Sequence, residues 1–199
     1  NEGTLEGIVQ EKKMTMVTAM AMYEELLKYD NVDVYLTHTE DVNLSLADRA
    51  QFAEERNADF LFSIHYNASV DHDLFGSEVW ISSVQPYNAY GYQFGWEQMQ
   101  QMKGMGLFLR GVKTKLKDNG DDYYGIIRAR GIPSAIIEHC HVDEGRDIPY
   151  CQTEEDWKRF GREDALSVAK YFGLSSADTG VDYSAEVDAL PEVSLQSIL

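Results

Sequence analysis

Ala58-Asp59-Phe60-Leu61-Phe62-Ser63-Ile64-His65-Tyr66-Asn67 is the stretch whose reading decides the fold. Phe60, Leu61, Phe62 and Ile64 make a nearly continuous apolar run, the pattern of a parallel β-strand covered on both faces. His65 falls where such a strand leaves its sheet, and the carboxyl edge of an open α/β sheet is where ligands bind. An imidazole there is either a core histidine bonded to a backbone carbonyl or a group with chemistry to perform.

Upstream of that strand, residues 32–37 read as another strand, Val-Asp-Val-Tyr-Leu-Thr. Ser45 then suits the cap of a helix running to about Arg56, with Leu46, Phe52 and Ala53 inward. Strand, helix and strand form a β-α-β unit, whose right-handed crossover makes the two strands parallel. Earlier still, residues 1–10 read as a loop entering a helix. Glu11 lies near its first turn, and Met16, Met20, Tyr23 and Leu27 recur at helical spacing as a core stripe.

Downstream, residues 76–83 alternate like a strand. A helical region is expected from about Tyr90 to Lys117, interrupted near Gly104-Met105-Gly106, with Arg110-Gly111-Val112-Lys113 at its far end. Residues 121–128 read as a turn feeding a short strand, and 133–138 as the last strand, apolar until Glu138. Residues 153–172 form a terminal amphipathic helix with Trp157, Phe160, Ala165, Val168 and Ala169 on its buried side. The expected fold is a single α/β domain over residues 1–173, a mostly parallel twisted sheet with helices on both faces. From Leu174 to Leu199 there are five acids and no Lys or Arg, which reads as an acidic linker or surface extension.

At 199 residues the chain can bury a substantial core without disulfide help. A formal net charge of −17 argues against non-specific binding to nucleic acid or anionic membranes. No apolar run approaches the ~18 residues of a membrane span. Cys140 and Cys151 are too few for a disulfide framework.

Two of the expected strands end in groups suited to a metal: His65 and Glu138. The carboxyl ends of parallel strands lie along one sheet edge, and Glu11, near a helix start, can reach the same edge. An imidazole with two carboxylates suits a hydrolytic zinc site, with one position open for water and a non-ligand Glu to move its proton. The same carboxylates equally suit ion pairs or helix caps. Asn67, two residues past His65 on the same side, suits hydrogen bonding to substrate or to a metal ligand. Arg128 suits an oxyanion, a substrate carboxylate or a surface ion pair. In His139-Cys140-His141, an extended backbone turns both histidines away from the side of Glu138 and Cys140.

Residues 34–41 (Val-Tyr-Leu-Thr-His-Thr-Glu-Asp), 44–49 (Leu-Ser-Leu-Ala-Asp-Arg) and 62–68 (Phe-Ser-Ile-His-Tyr-Asn-Ala) carry a resemblance to a known family. Arg110-Gly111-Val112-Lys113 and residues 131–138 (Gly-Ile-Pro-Ser-Ala-Ile-Ile-Glu) extend it over roughly residues 7–172. In order and spacing these motifs resemble the zinc-dependent N-acetylmuramoyl-L-alanine amidases of the Amidase_3 type. The family holds zinc with two histidines and a glutamate and uses a second glutamate as base. The resemblance therefore implies His65 and Glu11 as ligands and Glu138 as general base, with Glu11-Lys12-Lys13-Met14-Thr15-Met16 after Gly7 opening the first long helix.

The family's first strand, ending Asp-Pro-Gly-His-Gly-Gly with the other zinc histidine, has no counterpart in the chain. It is expected just before residue 1, in an upstream segment that supplies the missing ligand, the chain itself being a fragment. His38 stands where the family commonly has Arg, and Glu54 where Asn is usual. The implied function is zinc-dependent hydrolysis of the amide between N-acetylmuramic acid and the first L-alanine of the stem peptide. Peptidoglycan is then the partner, met outside the cytoplasm of a bacterium. Two rivals are a non-catalytic peptidoglycan-binding module of the same fold and a zinc peptidase acting on stem peptides.

Overall fold

The computed structural model describes residues 11–128 and 131–191. The expected entry loop at residues 1–10 lies outside them. Helix α1 spans Glu11–Leu26, α2 Leu46–Glu55, α3 Tyr87–Met105 and α4 Glu154–Phe172. Strands β1 (Leu61–Asn67), β2 (Ser77–Ile81), β3 (Leu109–Lys113) and β4 (Ser134–His141) form one sheet in the order β1-β4-β2-β3. β1 runs parallel to β4 and β2 parallel to β3, while β2 meets β4 antiparallel. The sheet is therefore mixed.

Sequence chemistry sets the helix starts. Ser45 and Thr153 each accept the N3 amide while Asp48 and Asp156 reach back to the cap amide, giving α2 and α4 complete capping boxes. α3 and α4 stop where Gly106 and Gly173 take left-handed φ of 95° and 64°.

One sheet face packs on α1, α3 and α4. Its core joins Phe60, Val79, Ile81, Phe94, Ala135 and Ile137 to Met14, Met22, Trp157, Phe160 and Val168. α1 and α4 touch at Gly161, where a Cβ would stand 2.3 Å from the Thr18 carbonyl oxygen. The opposite face is covered at one end by Ile126, Ile127 and Tyr124, packed against Leu61, Ile136 and Trp80. Thus Leu61 and Phe62 are both packed, on opposite faces, as the apolar run required.

Several expectations need correction. Residues 32–37 form no strand among the described residues, although Val32 and Val34 pack against the core. The buried stripe of α1 is Met14, Thr18, Ala21, Met22 and Leu26, and Leu27 is exposed. Thr18 lies inward because its hydroxyl meets the Tyr66 hydroxyl at 2.7 Å and the Trp157 carbonyl at 3.1 Å. Leu46 is exposed on α2. Arg110-Gly111-Val112-Lys113 is β3 rather than the end of a helix, because Gly106 stops α3 four residues earlier. Residues 121–128 are turns, braced by Arg128, whose guanidinium donates to the carbonyls of Asp122 (2.6 Å) and Tyr123 (2.8 Å).

β4 continues three residues past Glu138. Beyond α4, Ser175–Ser176 and Val181–Asp182 pair as the short strands β5 and β6, and the Tyr183 ring lies tilted beside that of Tyr29, just past the end of α1. No described helix is long and apolar enough to cross a membrane.

Candidate active site

Alternation along the strands decides what faces the second side of the sheet. Phe62, Ile64 and Tyr66 of β1 point to the helices, so Ser63, His65 and Asn67 point the other way. In β4 and β2 the same parity puts Glu138 beside Ile136 and Glu78 beside Trp80. His65 is in register with Glu138, and Glu138 with Glu78. A polar row therefore crosses the sheet: His65 on β1, Glu138 on β4, Glu78 on β2, then Arg110 and Lys113 on β3.

His65 Nδ1 lies 3.1 Å from Glu11 Oε1 at the start of α1, while its Nε2 lies 3.0 Å from the Ser63 hydroxyl. Both ring nitrogens are thus held. Burial opposes a charged ring here, but Glu11 and Glu138 outweigh it and raise the His65 pKa above its ordinary value, against Arg49. Glu138 differs from its neighbours: its Oε2 is buried without a hydrogen-bond partner among the described residues. Burial pushes its carboxyl up to about 7, with Glu11 and Glu78 adding to the rise and His65 and His139 working against it. A carboxylate poised near neutrality can take and return a proton.

Glu78, one strand over, has the opposite character. Burial would raise it, but Lys113 and Arg110 hold it below the usual carboxylate range. Its Oε2 accepts from Arg110 Nε at 2.7 Å and from the Lys113 ammonium, and its Oε1 from Asn67 Nδ2 and Trp80 Nε1, both at 3.1 Å. Two carboxylates opposite each other on adjacent strands are thus pushed apart in pKa by their surroundings.

The structure brings Glu11, His65 and Glu138 to one place, with Asn67 joined to them through Glu78. It leaves Arg128 outside this cluster, bound within its own turn. Among the described residues, no three His, Cys, Asp or Glu side chains are grouped so as to hold a metal.

His139 and His141 take no place in the row. A bulge lets three steps of β4 oppose two of β1 between His65 and Asn67, which breaks the expected alternation. His139 is fully buried, one ring nitrogen 3.0 Å from the His65 carbonyl oxygen and the other 2.9 Å from Asp164 Oδ2. Cys140 joins the helix-side core instead of Glu138's side. His141 is also buried, against the Gly76 carbonyl and Asp147.

Sequence reading missed Ser63, Glu78 and the Asp164–Gln98 pair behind His139. Glu78 alone left a usable trace, an acid two residues before Trp80 in an alternating strand.

This arrangement has relatives. A family model described as N-acetylmuramoyl-L-alanine amidase, Amidase_3, matches residues 1–170. The N-acetylmuramoyl-L-alanine amidase CwlM of Bacillus licheniformis is 29% identical over 168 residues, 84% of this chain and 62% of that protein. The sporulation-specific N-acetylmuramoyl-L-alanine amidase of Bacillus subtilis is 25% identical over 182 residues, 91% of this chain and 67% of that protein. The chain thus spans about three fifths to two thirds of the length of these relatives.

Among solved structures, Cwp6 from Clostridium difficile superposes with a TM-score of 0.78 at 27% identity, covering 84% of this chain and 27% of that one. The catalytic domain of the amidase CwlV from Bacillus (Paenibacillus) polymyxa var. colistinus gives 0.73 at 21% identity, covering 86% and 91%, a likeness of fold. With residues 1–170 inside the family model and the sheet shared with these structures, the chain belongs to the Amidase_3 family of N-acetylmuramoyl-L-alanine amidases.

Proposed function

We propose that this chain hydrolyses the amide between the lactyl group of N-acetylmuramic acid and the first L-alanine of the stem peptide, using zinc held by His65 and Glu11 and Glu138 as the base. The observation that carries the reading is Glu138: a buried carboxyl with its pKa near 7, its Oε2 without a hydrogen-bond partner among the described residues, beside a ready-made imidazole–carboxylate pair. The family is generally zinc-dependent, and the residues fit that metal. Two ligand atoms each about 2.1 Å from a tetrahedral zinc stand roughly 3.4 Å apart, and His65 Nδ1 and Glu11 Oε1 stand 3.1 Å apart. Completing the set takes a third protein ligand from outside the described residues, the part played by the Gly-His-Gly strand in the family.

When bound, zinc supplies a Lewis acid that polarises the amide carbonyl and lowers the pKa of water to about 7. Ser63 holds His65 Nε2, which fixes the ring with Nδ1 toward Glu11. Glu138 takes a proton from the attacking water at its free oxygen and returns it to the leaving alanine nitrogen as the C–N bond breaks. Asn67 bears on the site through Glu78, and Arg128 through the turn that carries Tyr124. Residues 1–173 make up the catalytic unit in this reading, and 174–199 an extension along its surface. The substrate places the protein at the bacterial wall, outside the cytoplasm.

Digestion of purified peptidoglycan, followed by labelling of new amino termini, tests the assignment. New N-terminal L-alanine that disappears in Glu138→Gln is the expected result. New termini within the stem peptide mean a peptidase. Binding without new termini means a recognition module.

A further inference from the structure

Arg110 and Lys113 carry charge that the proposed hydrolysis does not use. Both donate to a single oxygen, Glu78 Oε2, and neither is ion-paired with a second acid among the described residues. The further contacts of these two side chains are uncharged: the Phe75 carbonyl for Arg110 and the face of the Trp80 ring for Lys113. Two cations against one carboxylate leave one positive charge over, in a chain whose net charge is −17. The two side chains keep 22% and 27% of their surface exposed, so the surplus faces solvent. It does so on the sheet face that holds Glu138. Glu78 opposes Glu138 directly on the neighbouring strand, so the two cationic heads that grip its Oε2 lie one place further along the same row as the proposed base.

We infer that Arg110 and Lys113 form a subsite for a substrate carboxylate, the free α-carboxylate of a D-glutamate in the second position of the stem peptide. The inference rests on the amidase reading above and names what that site selects. A D-glutamate linked onward through its γ-carboxyl leaves its α-carboxylate unbonded. From the scissile carbonyl to that carboxylate is one amide, one alanine and one further amide, about 6–8 Å in an extended chain, a length between one and two strand spacings of the sheet that carries the base on β4 and the cations on β3. Arginine's planar fork suits a carboxylate, and the ammonium adds a second charge-assisted bond. Glu78 holds both heads in place before substrate arrives, so little side-chain freedom is lost on binding. When the second residue is D-isoglutamine, the same position is a neutral amide and the charge pairing is lost.

The test uses the full chain loaded with zinc and two muropeptides identical except for D-glutamate or D-isoglutamine in the second position. Wild type is expected to favour the D-glutamate form in kcat/KM by about tenfold or more. Lys113→Gln and Arg110→Gln should each bring that ratio toward one, and Lys113→Arg should restore it. Because each ratio is taken within one preparation, a smaller folded fraction in a variant cancels. A wild-type ratio within about twofold of one, or a preference that neither variant moves, overturns the inference. Calorimetry of the metal-free chain with L-alanyl-γ-D-glutamate and L-alanyl-D-isoglutamine is run beside it. If neither muropeptide is cut, the amidase reading fails, and the subsite then stands or falls on whether the acidic dipeptide binds more tightly than its amide and loses that margin in Lys113→Gln.

Discussion

Glu138 concentrates the cost of the site in one residue. Its folded pKa of about 7 lies above the ordinary glutamate value of 4.5. A raised pKa gives a share of stability that is complete below the unfolded value and is lost as pH climbs through the folded one. For Glu138 that window runs from about 4.5 to about 7. Glu138→Gln removes the ionisation, so the metal-free variant should be more stable than wild type at pH 8, by on the order of 2 kcal/mol, and equally stable near pH 4. Urea melts at the two pH values measure this. The same variant should lose about 10²–10⁴-fold in turnover, the usual worth of a positioned base. A variant that is more stable and inactive is the mark of a residue kept for chemistry. Glu78 titrates in the opposite sense: its depressed pKa gives stability that is present above about 4.5 and lost as pH falls below that.

At the scale of elements, α1 and α4 meet face to face where Gly161 lies against the Thr18 carbonyl. Gly161→Ala should force them apart and cost a few kcal/mol, as overpacking does. Because α1 carries Glu11, zinc affinity should fall with it, which a metal titration of the variant would register. β4 and α4 are tied by the fully buried His139–Asp164 pair. Asp164→Ala leaves a buried imidazole without its partner and should cost about 3–5 kcal/mol in a denaturant melt.

The sequence showed β1 and the core of β4 plainly, because their apolar runs are long, and α2 and α4 because their caps are explicit. It hid β3, since Arg110, Gly111 and Lys113 lack the apolar alternation of a strand and take their place through the backbone ladder with β2 and the bonds to Glu78. It hid the inward face of α1, because Thr18 is buried by hydrogen bonds that no hydropathy pattern reveals. The roles expected for His65, Glu11 and Glu138 rested on family resemblance, and spacing alone could not exclude an ion pair. Their convergence depends on strand parity and on register between elements far apart in the chain.

Across the whole molecule, the excess of acidic groups makes the folded state repel itself. Stability should rise by a few degrees of Tm between low salt and about 0.5 M NaCl, where screening is nearly complete, and a thermal melt series checks it. Arg110 and Lys113, about a quarter exposed on the site face, stand out against that background. The polar row is either a metal centre or an ion-pair lattice. Equilibrium zinc titration of wild type, His65→Ala and Glu138→Gln tests this most directly. Wild type and Glu138→Gln should bind zinc alike while His65→Ala loses it. Zinc binding undiminished in His65→Ala, or lost to the same degree in Glu138→Gln, would contradict the division of this site into ligands and base.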